Sequence, residues 1–151
     1  MIKFLDDIRA FLSKKICADS DFAQKIPVNK SYLFNHSLKA TEIQVGALDN
    51  SEETQYSTLE GEQVAYVPVQ ITVYAAQMAI GGVVKNPQDV AEIVADKLCR
   101  YMKSLHEEVK GVLLVTRTTF TQPLPLGTGA VTYFSALRYD IRINSPYKTK
   151  I

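Results

Sequence analysis

The chain predicts an α+β fold: a mostly antiparallel sheet with two helices packed on one face, in the order α-β-β-α-β-β. Three observations carry this. Apolar residues recur at helical spacing in two stretches, one at the N-terminus and one over residues 87–109. Apolar and polar residues alternate, or β-branched residues cluster, in four others. Those four come as directly joined pairs, which suits antiparallel hairpins better than crossovers.

The first helix is expected from Ile2 to about Ile16. Ile2, Leu5, Ile8, Phe11 or Leu12, and Ile16 fall on one face, while Lys3, Asp6, Asp7, Lys14 and Lys15 fall elsewhere. In the connector that follows, Pro27 forbids a through-helix, and one short strand is expected around Ser31–Phe34. "ATEIQVGAL" alternates, with Ile43, Val45 and Ala47 on one face, as a half-buried strand does. "DNSEETQYSTLEGE" is polar, acidic and without period, and reads as a long loop that is mobile when free. "QVAYVPVQITVYAAQ" is the next strand, with Val67, Val69, Ile71 and Val73 facing one way. Pro68 lacks an amide proton, so it is expected at a strand start, a bulge or an edge.

A Gly-Gly loop then leads to the second helix. Asn86 suits the N-cap, Pro87 the first helical position and Asp89 the first turn. Val90, Ile93, Val94, Leu98, Tyr101, Leu105 and Val109 form one stripe, and Gly111 ends it. "VLLVTRTTFTQ" is a β-branched strand. "TQPLPLGTGA" holds too much Pro and Gly for a strand and reads as a loop with an apolar tip. "VTYFSALRYDIRIN" is the last strand, with Phe134, Ala136, Arg138, Asp140 and Arg142 opposite its apolar face.

A length of 151 residues suits one domain, expected over residues 1–151 with an acidic loop at 49–62 and a polar tail at 145–151. The net charge of +1 gives bulk charge no pull toward nucleic acid or membrane. No apolar run approaches the roughly 20 residues of a membrane span. Asp6, Asp7 and Arg9 break the N-terminal apolar pattern, so it does not read as a signal peptide. Cys17 and Cys99 are expected as buried free thiols, with a single disulfide as the alternative. Charge is uneven along the chain. Residues 40–84 carry six acids and no Lys or Arg, and basic residues outnumber acids on both flanks. Opposite signs on different surfaces would suit head-to-tail association; a solvated acidic loop is the plainer reading.

No cluster carries chemistry, and the chain reads as a non-enzyme without a cofactor, catalytic residue or metal site. His36 has no companion at ligand spacing, and His106 in "SLHEEV" suits a helix C-terminus. "HEEV" lacks the second histidine of a metalloprotease helix. The "GTG" after Leu126 precedes no helix that could cradle a phosphate, and the acids of residues 42–62 lack a calcium-loop pattern. Lys97, Arg100 and Lys103 read as a solvated helix face, interrupted by Asp96 and Glu107, and not as a nucleic-acid patch. Two features stand out. The face Arg138, Asp140, Arg142 alternates in sign and can pair across strands or with a neighbouring subunit. Leu124, Leu126 and Gly127, held by Pro123 and Pro125, make a preorganised tip that either meets a partner or tucks onto the core.

The helix, the strand "VPVQITVYAA", the helix "PQDVAEIVADKLCRYMKSLHE" and the end "QPLPLGTGAVTYFSALRYDIRI" together resemble the tail terminator proteins at the head–tail junction of long-tailed bacteriophages. The resemblance covers most of residues 2–144 and lies in architecture and texture. It implies a homo-oligomeric ring, a hexamer in the usual case, that caps the tail tube and meets the head connector. The implied partners are further copies, the tube protein and the connector or neck protein, without membrane or sequence-specific nucleic acid. The implied location is the virion, after synthesis in a bacterial host cytoplasm. Other neck, minor tail or head-completion proteins share the texture, and a monomeric adaptor binding one partner through residues 121–130 is a further alternative. From the residues themselves, Arg138, Asp140 and Arg142 are candidates for the subunit interface. Leu124, Leu126, Gly127, Glu52, Glu53 and Glu60 are candidates for tube or neck contact.

Overall fold

The computed structural model describes residues 2–31, 38–47, 55–59, 62–126 and 129–144. It shows an α+β fold in which helices cover one face of a mostly antiparallel sheet. The helices are α1 (Ile2–Ala18), α2 (Pro87–Met102) and the single turn α3 (Leu105–Glu108). The six-stranded sheet contains β1 (Val28–Lys30), β2 (Glu42–Ala47), β3 (Gln55–Leu59), β4 (Glu62–Ala76), β7 (Val112–Pro125) and β8 (Val131–Asn144). Its order is β1-β2-β4-β8-β7, with β3 paired to the first part of β4. Among the described strands only β1 and β2 run parallel; the other pairs are antiparallel. A separate hairpin, β5 (Met78–Ile80) and β6 (Val83–Lys85), precedes α2.

The two strong helical periods become α1 and α2, and the strand alternation sets the sheet's faces. Val67, Val69, Ile71 and Val73 of β4 and Leu137, Tyr139, Ile141 and Ile143 of β8 are buried under the helices. Phe4, Leu5, Ile8 and Leu12 of α1 are fully buried against them. The polar side of α1 is less solvated than its period implies. Asp7 is buried and pairs with Lys3, and Arg9 is buried and reaches the sheet. The Arg9 guanidinium donates to the Val45 carbonyl at 3.1 and 2.7 Å, and its third nitrogen holds Asp6 at 2.8 Å. A fork of five N–H donors can satisfy itself this way inside a protein.

Asn86 caps α2 as expected, its side chain accepting from the Asp89 amide at 2.9 Å, with Pro87 opening the helix. The expected stripe to Val109 is not one helix. The amides of Lys103 and Ser104 bond three residues back, to Arg100 and Tyr101, which tightens the turn and ends α2. The Ser104 hydroxyl holds the Tyr101 carbonyl at 3.1 Å, competing with helix continuation. The stripe still does its work, since Leu105 and Val109 are buried. The Gly-Gly loop is the two-residue turn of the β5–β6 hairpin. Gly81 and Gly82 have φ of 62° and 80°, the left-handed pair such a tight turn needs.

Two readings of the connectors need correction. A short strand lies at Val28–Lys30, while the strand expected around Ser31–Phe34 falls mostly on residues 32–37, outside the described part. The acidic loop contains β3, whose Tyr and Thr residues suit a strand and whose backbone pairs with Glu62–Tyr66. The "TQPLPLGTGA" loop is largely strand, because β7 continues through Pro125 and the Leu126 amide bonds the Thr132 carbonyl at 2.8 Å. Pro123 and Pro125 are tolerated because β7 is an edge strand, with a register shift between Thr121 and Leu124.

Pro68 lies mid-strand in β4, yet its place obeys the edge rule. On that flank β3 pairing stops at Tyr66 and β2 pairing starts at Val69. Pro68 falls in the gap, where a missing amide proton costs no ladder bond.

Candidate functional site

Among the described residues, a groove of about 600 Å³ opens where α2 and α3 meet the start of β7. Its position follows from the break in α2. The chain turns at Ser104, so the last turn of α2, α3 and the edge strand frame three sides. Met102, Val115 and Tyr139 give it an apolar floor. Arg100, Lys103, His106 and Arg117 line it with basic groups, and no Asp or Glu lines it. Leu113 and Leu114 stand at its rim, about half exposed (46% and 52%).

Cys99 sits inside the groove. Arg117 donates to its sulfur at 3.4 Å and stacks over the Phe120 ring at 5.7 Å. Tyr139 is buried beneath; burial, then its hydrogen bond with Cys99, pushes the phenol above its ordinary pKa. Both cysteines are free, but neither is buried as expected: Cys17 is exposed and Cys99 half-buried. Among the described residues no group of His, Cys, Asp and Glu could hold a metal ion.

A charged corner fixes α2 in place behind the groove. Lys97, expected on a solvated face, is buried and donates to Asp19 and Asp21 at 2.8 Å each. The Tyr101 hydroxyl donates to the same Asp19 oxygen. Burial alone would raise the Asp19 carboxyl, but the bonds from Lys97 and Tyr101 outweigh it and hold the pKa at about 2. Burial also opposes the charge on Lys97, yet its two carboxylate partners raise its pKa above the ordinary value.

The second surface is the sheet face away from the helices. Cross-strand partners share a face, so the register sets out its rows. Tyr74, Phe134 and Leu124 make an apolar row. Gln70 and Arg138, Pro68 and Asp140, and Tyr66 and Arg142 make polar rows beside it. Arg138 donates to Gln70 at 3.2 Å. Arg142 donates to the Tyr66 hydroxyl at 2.8 Å and stacks on its ring at 5.0 Å. The two arginines thus engage across strands within the chain, while Asp140 is exposed.

The structure therefore brings Leu124, Arg138, Asp140 and Arg142 onto one sheet face. Leu124 is 44% exposed and Leu126 half-buried. Gly127, Glu52, Glu53 and Glu60 lie outside the described residues. The groove itself was not anticipated. The available signal was "VLLV" in a strand beside a helix end: with Val112 and Val115 turned inward, Leu113 and Leu114 are left at the surface. Compared with models of known protein families and with curated protein sequences, the chain matches none. No helix among the described residues is long and apolar enough to cross a membrane.

Proposed function

We infer that the protein is a structural virion component of the tail-terminator kind, a subunit that assembles into a ring capping the tail tube and meeting the head connector. The observation that carries this reading is β7. It is a 14-residue edge strand paired only to β8 among the described residues, and Leu113, Leu114 and Leu124 along it are each about half exposed. Long exposed apolar edges are a hazard that proteins cover. Pro123, Pro125 and three register shifts disfavour adding a strand, so a neighbour would engage β7 through side chains. The open sheet face sets Leu124, the candidate for tube or neck contact, beside Arg138, Asp140 and Arg142, the candidates for the subunit interface.

The test is mass in solution together with tube growth. Light scattering over a concentration series is expected to reveal a species of about six 16.9 kDa subunits, and the protein is expected to arrest polymerising tube protein. A protein that stays monomeric and leaves tube growth unchanged overturns the reading. A monomeric adaptor is the second reading, favoured by the groove, whose size suits one short segment of a single partner.

A further inference from the structure

We propose that the groove between α2, α3 and β7 docks the acidic stretch 49–62 of a second copy of this chain, so that subunits join head to tail. This rests on the ring reading and assigns its subunit contact, moving Glu52, Glu53 and Glu60 from the tube face to that contact.

Charge complementarity selects the occupant. Arg100, Lys103 and Arg117 surround an apolar floor, and among the described residues none of the three forms an ion pair. Glu107 faces His106 at 3.9 Å, and Asp96 acts on Arg117 through its field without an ion pair. The stretch 49–62 carries Asp49, Glu52, Glu53, Glu60 and Glu62 with no Lys or Arg, interspersed with Tyr56 and Leu59. No other part of the chain has this composition; the C-terminal residues 145–151 are basic and would be repelled.

Topology makes the contact intermolecular. β3, which lies within the acidic stretch, flanks β4 on the side away from β8, whereas the groove lies along β7 beyond β8. The order β3-β4-β8-β7 sets β3 and the groove on opposite flanks, about 14 Å apart at ordinary strand spacing. The helix layer covers the sheet face on which the groove opens. Two complementary surfaces on opposite flanks of one subunit make a heterologous contact, the kind that closes rings.

The test uses two charge-reversed full-length chains. One carries Arg100→Glu and Lys103→Glu; the other carries Glu52→Lys, Glu53→Lys and Glu60→Lys. The wild type is expected to associate, and raising salt from about 0.05 M to about 0.5 M to weaken it at least about tenfold. Each variant alone is expected to lose at least about tenfold in association, with circular dichroism and melting confirming its fold. If a reversed chain does not fold, the Gln versions at the same positions replace it. An equimolar mixture of the reversed chains is expected to regain association, because each altered groove then meets an altered stretch of opposite sign. A wild type that stays monomeric at about millimolar concentration at low salt, variants that associate as the wild type does, or folded variants that fail to rescue each other would each overturn the docking. Tube arrest by a protein whose association ignores both reversals would remove this contact while leaving the terminator reading standing.

Discussion

Lys97 ties together α2, the turn after α1 and, through Asp19, the Tyr101 hydroxyl. The stability this corner contributes depends on pH. Asp19 titrates at about 2 in the folded chain against an ordinary 3.8, so its contribution is full above about pH 4 and fades as pH falls toward 2. Lys97 acts in the opposite sense: its pKa is raised, so its contribution is present below 10.5 and fades as pH rises beyond that. Urea unfolding at about pH 5 and about pH 2 is expected to show Asp19→Asn losing about 2 kcal/mol less than the wild type over that interval. Equal losses would place the acid sensitivity elsewhere. Gly46 is a second residue with a specific role. A Cβ there would meet the Ser31 hydroxyl at 2.5 Å and the Ser31 Cβ at 2.7 Å. Gly46→Ala is expected to cost about 1–3 kcal/mol in a denaturant melt, with Ser31→Gly recovering most of it. Neither role was legible in the sequence. Periodicity assigns a face to Lys97 but cannot show that two distant aspartates fold over it, and Gly46 meets Ser31 only once β1 has paired with β2.

Elements were legible where local chemistry and burial agree. The start of α2 is the best case, because Asn86, Pro87 and Asp89 act within one turn. Asn86→Ala is expected to cost about 1 kcal/mol by thermal melting, and Asn86→Asp almost nothing. Elements were missed where pairing rather than side-chain pattern decides the structure. β3 has no apolar alternation and exists because the first part of β4 offers it a partner. β7 runs past two prolines because nothing pairs with its outer side among the described residues. Proline statistics read as loop there, although the same residue is compatible with an edge. The split of α2 from α3 was hidden for a related reason: the apolar stripe continues across the break, which shows only in the backbone bonds of Lys103 and Ser104 and the Ser104 side-chain bonds.

At the scale of the molecule, the layering followed from the periods alone, since two amphipathic helices and half-apolar strands leave few other ways to bury Val69, Ile71, Leu137 and Ile141. The groove was not legible, because it belongs to no single element. It is the space left where a helix ends beside an edge strand. If copies of the chain cover β7 and that groove, association stabilises the fold by mass action. The melting temperature is then expected to rise with protein concentration at low salt, and the rise to vanish in the chain carrying Arg100→Glu and Lys103→Glu. A melting temperature independent of concentration in the associating wild type would mean that the contact forms equally well with unfolded chains.

The gap at Pro68 bears on how this protein can vary. The chain leaves β2 at Ala47, opposite Val69, and re-enters at Gln55, opposite Tyr66. Those anchor points are about 10 Å apart along β4. The residues on either side of positions 48–54 are thus both paired to one continuous strand. Material inserted or removed there leaves every register on either side untouched, and doubling that segment costs only about 0.6 kcal/mol of closure entropy. Its length can drift across generations while the scaffold beneath keeps its dimensions, provided the acids that meet the neighbouring groove are kept.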